Sequence, residues 1–368
     1  MIPVHMKKCY SFFTLLMLLS TAAFSQQSSV DHILLKNFRP VSIYAIPVNI
    51  PAKARFPLID MHSHPYAQSK AEIATWVETM DKMGVTKTII LTFETGAKFD
   101  SLVEVYGKFP GRFELWCGFD YTGFDKPGFG PAAVKELERC FKKGARGVGE
   151  LGDKGAGEIY SKPVSGLGLH MDDPRMKPLL QKCAELHMPI NIHIAEPYWM
   201  YLAADSLNDG LMNASTWKVT VKPGMLDHAQ LIQSLENAVR DNPKTIFIAC
   251  HFINCEYDLT KPGRLLDLYP NLYLDISARY AETATIPRYM AKFYDKYQDR
   301  LIYGTDMGMD EHMYRITFRV LETLDEHFYE TEAFGYHWAM NGFGLNNTIL
   351  KKLYMDNAQK IQQYEAKR

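Results

Sequence analysis

Eight short apolar runs start at residues 58, 85, 113, 145, 188, 245, 272 and 301, and each is followed by a segment of helical spacing or by a longer crossover. A strand that returns parallel to its predecessor needs such a crossover, so eight in succession leave few architectures. The pattern predicts a (β/α)8 TIM-like barrel, which typically occupies about 250 residues. Helices are expected over 69–83, 100–109, 131–143, 174–187, 227–240, 264–269, 286–297, 311–327 and 348–364, with Asp227 as the N-cap of the fifth. No repeat or low-complexity linker divides the chain.

With 368 residues and 47% of them hydrophobic, the chain can bury a large core. At the amino terminus Lys7-Lys8, an apolar run from Phe12 to Leu19 and small residues ending at Ala23-Phe24-Ser25 predict a signal peptide over 1–25, cleaved after Ser25. The run is shorter than the roughly 20 residues a membrane helix needs. The mature protein is therefore expected to be exported, periplasmic or extracellular, without a membrane span. Residues 26–55, interrupted by Pro40, Pro47 and Pro51, predict an extended arm with at most one edge strand. Residues 56–368 are expected to form the barrel, with a carboxy-terminal helix and a long lid loop over 196–225. That loop carries Tyr198, Trp199 and Trp217 as candidate substrate-wall aromatics.

A formal net charge of -1 and the lack of a long basic run give no footprint for nucleic acid or an anionic membrane surface. The five cysteines beyond Cys9 are odd in number and sit in apolar contexts, which predicts buried free thiols rather than a disulfide framework. Cys250-His251 with Cys255 lacks the second pair of a zinc finger. Gly152-Asp153-Lys154-Gly155-Ala156-Gly157 lacks the Gly-Lys-Ser/Thr ending of a phosphate loop and reads as an active-site loop.

The chemistry gathers where a barrel puts it, at the carboxyl ends of the strands. His62 and His64 lie two apart at the end of the first strand, on one face, and can grip one metal ion. Glu150, His193, His251 and Asp306 close the fourth, fifth, sixth and eighth strands. An imidazole or carboxylate at each of five strand ends is more than packing alone would select, although a single strand-end histidine is usually a core residue.

From Asp60-Met61-His62-Ser63-His64, Gly149-Glu150-Leu151-Gly152, His193-Ile194-Ala195-Glu196-Pro197, Ala249-Cys250-His251, Asp275-Ile276-Ser277-Ala278 and Tyr303-Gly304-Thr305-Asp306, the chain resembles the amidohydrolase superfamily, in its amidohydrolase-related branch. The likeness runs over about residues 56 to 363. It implies His62, His64, His193 and Asp306 as metal ligands and His251 as a second-metal ligand or substrate contact. It leaves Glu150 open between a bridging ligand of two ions and a neighbour of one. No lysine stands at the strand-four position, which disfavours a carbamylated-lysine site.

A divalent ion, Zn²⁺ first and Mn²⁺ second, held by neutral imidazoles and a carboxylate can bring a water's pKa to about 7. Asp306 and His251 are the candidate catalytic residues, Asp306 as the proton carrier and His251 at the developing oxyanion. Arg279, Lys154, Trp199 and Tyr198 are candidate substrate contacts, the two cations for a carboxylate; surface ion pairing is the competing role for both cations. The expected function is hydrolysis of a C–N or C–O bond (amide, lactone or ester) in a small polar substrate by a protein that is compatible with a homo-oligomer. Decarboxylation with the same ligands, and metal or ligand binding without catalysis, are the alternatives.

Overall fold

The computed structural model describes residues 32–160, 164–212 and 218–366, so the expected signal peptide and Trp217 lie outside the described residues. Two units are distinguished, residues 1–41 and 42–368. The described part of the first holds a single 3-10 turn, Leu35–Asn37.

The second unit is the barrel. Its strands are β1 Leu58–Ser63, β2 Val85–Leu91, β3 Phe113–Trp116, β4 Val148–Asp153, β5 Ile190–Ile194, β6 Phe247–Ala249, β7 Leu272–Asp275 and β8 Leu301–Ile302. Neighbours pair in parallel from β1 to β3 and from β4 to β8. Each of the two seams is closed by a few backbone contacts. Cys117 bridges Val148, with Gly149 N–H donating to the Cys117 carbonyl at 2.8 Å. Across the other seam Met61 N–H donates to the Tyr303 carbonyl and Asp306 N–H to the His62 carbonyl, both at 2.9 Å.

Local chemistry sets the helix bounds. Helix α1, Lys70–Met83, starts at a capping box in which Ser69 and Glu72 satisfy each other's backbone amides, and it stops at Gly84 in a left-handed conformation, φ 82°. Helix α2 spans Gly96–Tyr106, α3 Phe129–Lys143 and α4 Lys177–Glu185. Helix α5, His228–Asp241, has the expected Asp227 cap, with Gln230 completing the box. Helix α6 is Thr260–Leu268, α7 Tyr280–Thr283, α8 Pro287–Tyr297 and α9 Glu311–Glu322. The carboxy-terminal helix runs from Asn347 to Ala366 with a π segment, Lys352–Asp356.

Inside the ring a small apolar cluster of Ile59, Met61, Ile89, Leu91, Trp116, Ile248 and Ile302 is completed by Ala358 and Ile361 of that last helix. A larger cluster packs the strands against the surrounding helices. His62 and His64, two apart at the end of β1, both reach the strand-end centre, and the pairing of β1 with β2 shifts register between Asp60 and Ser63.

Residues 42–57 contain no strand, in keeping with prolines that cannot donate to a ladder. One expectation is corrected. The helix expected over 311–327 ends at Glu322 because side chains there compete for the backbone. Thr323 donates to the Arg319 carbonyl and accepts from Asp325 N–H, while the Asp325 carboxylate takes Arg319 Nε at 2.8 Å and the backbone and side-chain amides of Asn49 at 2.8 and 2.7 Å. The chain then runs irregularly to Asn346, with one antiparallel bridge, Phe328 to Met340.

Candidate metal centre

Each imidazole at the strand ends has one nitrogen committed to the barrel, which fixes what the other presents. His62 Nδ1 lies 2.5 Å from Asp275, a carboxylate at the end of β7. His64 Nδ1 donates to the Leu91 carbonyl at 3.0 Å and His251 Nδ1 to the Ser277 carbonyl at 2.9 Å. Their Nε2 atoms therefore carry lone pairs toward a common centre, the arrangement by which outer partners orient metal-binding histidines. His193 is reversed: its Nδ1 is 3.0 Å from Glu150, and its Nε2 faces Glu196 at 3.4 Å.

Glu150 sits in the middle. Besides His193, its oxygens lie 3.5 Å from His251 Nε2, 3.6 Å from His64 Nε2 and 3.8 Å from His62 Nε2. Asp306 Oδ1 is 3.0 Å from His64 Nε2 and 3.4 Å from His62 Nε2. Two ligand groups result, His62 with His64 and Asp306, and Glu150 with His193, Cys250 and His251. The buried Nε2 atoms of His62 and His193 have no hydrogen-bond partner. Unsatisfied buried nitrogens of this kind are costly unless something binds them, and a cation facing neutral imidazoles and ionised carboxylates is what the donor set fits.

The electrostatics of the two carboxylates and of His251 agree with that fit. Burial disfavours the Glu150 carboxylate, yet His193 and His251 outweigh it and hold its pKa well below the ordinary value. Asp306 is likewise lowered against burial, by His62 and His64. His62 is raised because Asp275 and Asp306 overcome its desolvation, whereas burial keeps His251 below the usual imidazole range, hence neutral. Burial pushes the Cys250 thiol up, so it stays protonated and donates to Glu150 at 3.3 Å.

The strand exits around the centre are strained in one way. Phe93, Ala195, His251, Ala278 and Asp306 all take positive φ, between 54° and 64°. After β6 the strain runs on: His251, Phe252, Ile253 and Asn254 have φ of 59°, 53°, 54° and 50°, a left-handed turn without glycine. Such a conformation costs roughly 1 kcal/mol or more per residue and persists only where the surroundings enforce it. Here it turns His251 inward and places Asn254, whose amide donates to the Ile194 and Ala195 carbonyls. Asn254 Oδ1 in turn accepts from Arg279 Nε at 3.0 Å and Nη2 at 2.5 Å. Gly304 is needed for packing, since a Cβ there would lie 2.6 Å from His62 Cβ and 2.8 Å from Asp275.

Above the centre lies a cavity of about 530 Å³. His64, Glu150, His193, His251 and Asp306 form its floor, and Phe93, Tyr160, Trp199, Phe334 and Tyr336 its aromatic walls. Arg279 and Lys154 both line it. They differ in availability, because Lys154 is ion-paired with Glu196, whereas Arg279 has its nearest carboxylate, Glu282, at 4.0 Å. Trp199 faces the cavity, but Tyr198 stacks on Tyr257 with ring centroids 4.2 Å apart and lines a separate cavity.

Several neighbours of the centre went unassigned in the sequence. Glu196 stands three residues after His193, a spacing that holds a signal. Asp275 and Ser277 close β7 in a stretch that carries a likeness but no role. Cys250 passed as core, and Phe334 and Tyr336 carry no local sign of their position.

The profile of the family described as Amidohydrolase matches residues 49–361. No curated protein matches the sequence. Among solved structures, an uncharacterised TIM-barrel protein, Bb4693 from Bordetella bronchiseptica, is 13% identical with a TM-score of 0.52, over 84% of this chain and 99% of that one. A 2,6-dihydroxybenzoate decarboxylase from Rhizobium is 15% identical with a TM-score of 0.51, over the same shares. Likeness at these identities establishes the shared barrel fold.

Proposed function

The chain belongs to the amidohydrolase family, and from that premise we propose that it is a metal-dependent hydrolase cleaving a C–N or C–O bond of a small, carboxylate-bearing substrate. The position of Glu150 carries this reading. One carboxylate within 3.0–3.8 Å of four ring nitrogens is placed to be shared, so the residues fit two ions, one with His62, His64 and Asp306 and one with His193 and His251. A pair of divalent ions, Zn²⁺ in our reading with Mn²⁺ as the other choice, supplies Lewis acidity and a water acidified to about pKa 7.

The remaining work falls to the chain. Arg279, held by Asn254, receives the substrate carboxylate; Trp199, Phe334 and Tyr336 bound the substrate and exclude bulk water. Asp306, with a quarter of its side chain exposed against 4% for Glu150, is the carboxylate that reaches the cavity. It takes the proton of the attacking water and returns it to the departing nitrogen or oxygen. Export of the mature protein, read from the leader, belongs to the same proposal.

Decarboxylation is the second reading, favoured by aromatic walls around a buried arginine, which suit a planar acid, and by the activity in the name of the Rhizobium protein. Asp306, once it has taken a proton from water, would then pass that proton to carbon as carbon dioxide leaves. A panel of amides, lactones, esters and aromatic acids, run in ¹⁸O-water with carbon dioxide trapping, separates the two. We expect one ¹⁸O atom in the product and no carbon dioxide; stoichiometric carbon dioxide would overturn hydrolysis.

A further inference from the structure

Beside the metal cavity lies a second one, of about 630 Å³, with the opposite chemistry. Its aromatic residues are Tyr198, Trp199, Tyr257 and Trp338, and its carboxylates are Glu256, Glu282 and the exposed Asp209. Among the described residues lining it there is no lysine or arginine. Glu256 is 7% exposed, and the Oε2 atoms of both Glu256 and Glu282 are buried without a hydrogen-bond partner. Glu282 uses its other oxygen to accept from Tyr336 at 2.6 Å. A carboxylate oxygen buried with nothing to bind is expensive; Arg279, 4.0 Å from the other oxygen of Glu282 and acting on Glu256 as well, is one cation against two carboxylates, so the complement of the pair is a second cation.

The rings point to the kind of cation. Aromatic faces attract ammonium groups by their quadrupole, the more so where water is excluded. Tyr257 already serves in this way within the protein, with Lys261 Nζ 4.8 Å from its ring centroid. Burial, opposed by Arg279, pushes the Glu256 carboxyl up to about 7.

We propose that this cavity is a subsite for an organic ammonium group, bound between Glu256, Glu282 and the faces of Trp199 and Trp338. It shares Trp199 and Glu282 with the metal cavity, and so, resting on the function proposed above, the ammonium is the far end of the substrate whose carboxylate Arg279 holds. The preferred substrate class is then zwitterionic.

Calorimetric titration of the metal-loaded protein with choline and with its uncharged isostere, 3,3-dimethylbutan-1-ol, tests the subsite without needing turnover. Choline should bind about tenfold more tightly or better. Glu256→Gln, which keeps the shape, should abolish that preference, and Trp338→Ala should weaken choline by a similar factor while metal content stays unchanged. Equal binding of the two probes, no binding of either, or full choline affinity in Glu256→Gln would overturn the proposal. A choline preference in a protein that hydrolyses nothing would keep the subsite and refute the hydrolase reading instead.

Discussion

The ring of ligands and the walls above it are built by different means. Each imidazole of the ring is held by a carbonyl or carboxylate of the barrel itself, and the strands that carry the ring are closed on both sides. The walls hang on loops that grip one short helix. Tyr336 Oη–H donates to Glu282, Trp338 Nε1 to the Ala281 carbonyl at 3.1 Å and Asn341 Nδ2 to the Ala284 carbonyl at 3.0 Å, all around Tyr280–Thr283. The contrast assigns chemistry to the barrel and substrate choice to segments that can change without disturbing it.

If that division holds, damage to the ring should act on turnover and damage to the walls on recognition. The largest effect is expected of Asp306→Asn, which keeps shape but has almost no basicity: turnover per bound metal should fall about 10²–10⁴-fold, with little change in metal content by elemental analysis. A near-wild-type rate at full occupancy would place the base elsewhere, at Glu150 or His251. Next, Arg279→Lys removes the planar fork that Asn254 holds, so KM for a carboxylate substrate should rise roughly tenfold while kcat stays within a few-fold. A loss confined to kcat would make Arg279 part of the ring and blur the comparison.

The smallest effect belongs at the junction of the two regions. Asp153 ends β4 and accepts from Gly155 and Gly157 N–H, at 3.0 and 3.2 Å, and its other oxygen holds His170 Nδ1 at 2.7 Å. That hydrogen bond raises the His170 pKa above its unfolded value of about 6.5, against burial. The stabilisation is therefore complete below about pH 6.5 and is lost as pH rises through the folded-state pKa. The unfolding free-energy gap between wild type and His170→Gln, measured by denaturant titration, should be larger near pH 5.5 than near pH 9, by an amount on the order of a few tenths of a kcal/mol. A gap that widens with pH would contradict the assigned charge state.

Much of the ring was legible in the sequence for a physical reason. Strand periodicity and barrel closure together convert positions 90 residues apart, such as His62 and Glu150, into neighbours, and the only information needed is where each apolar run ends. The walls obey no such rule. Phe334 and Tyr336 lie in a segment whose course is set by Asp325, Arg319 and Asn49, contacts between residues far apart in the chain, and a helix was expected to run to 327. Tyr198 and Trp199 show the limit at single-residue scale: adjacent aromatics on one 3-10 turn, Tyr198–Tyr201, face different company.

The left-handed turn over His251 to Asn254 couples the two regions after all. One end of it carries an imidazole of the centre and the other carries the amide that grips Arg279, with four consecutive residues that have little conformational slack between them. The span from the centre to the guanidinium is consequently a gauge cut to a fixed length. Under the proposed function, molecules whose carboxylate stands at that distance from the bond to be broken would register at both ends, and shorter or longer homologues would touch only one. Replacing residues within the turn by glycine would relieve the backbone and slacken the gauge, trading discrimination by length for tolerance.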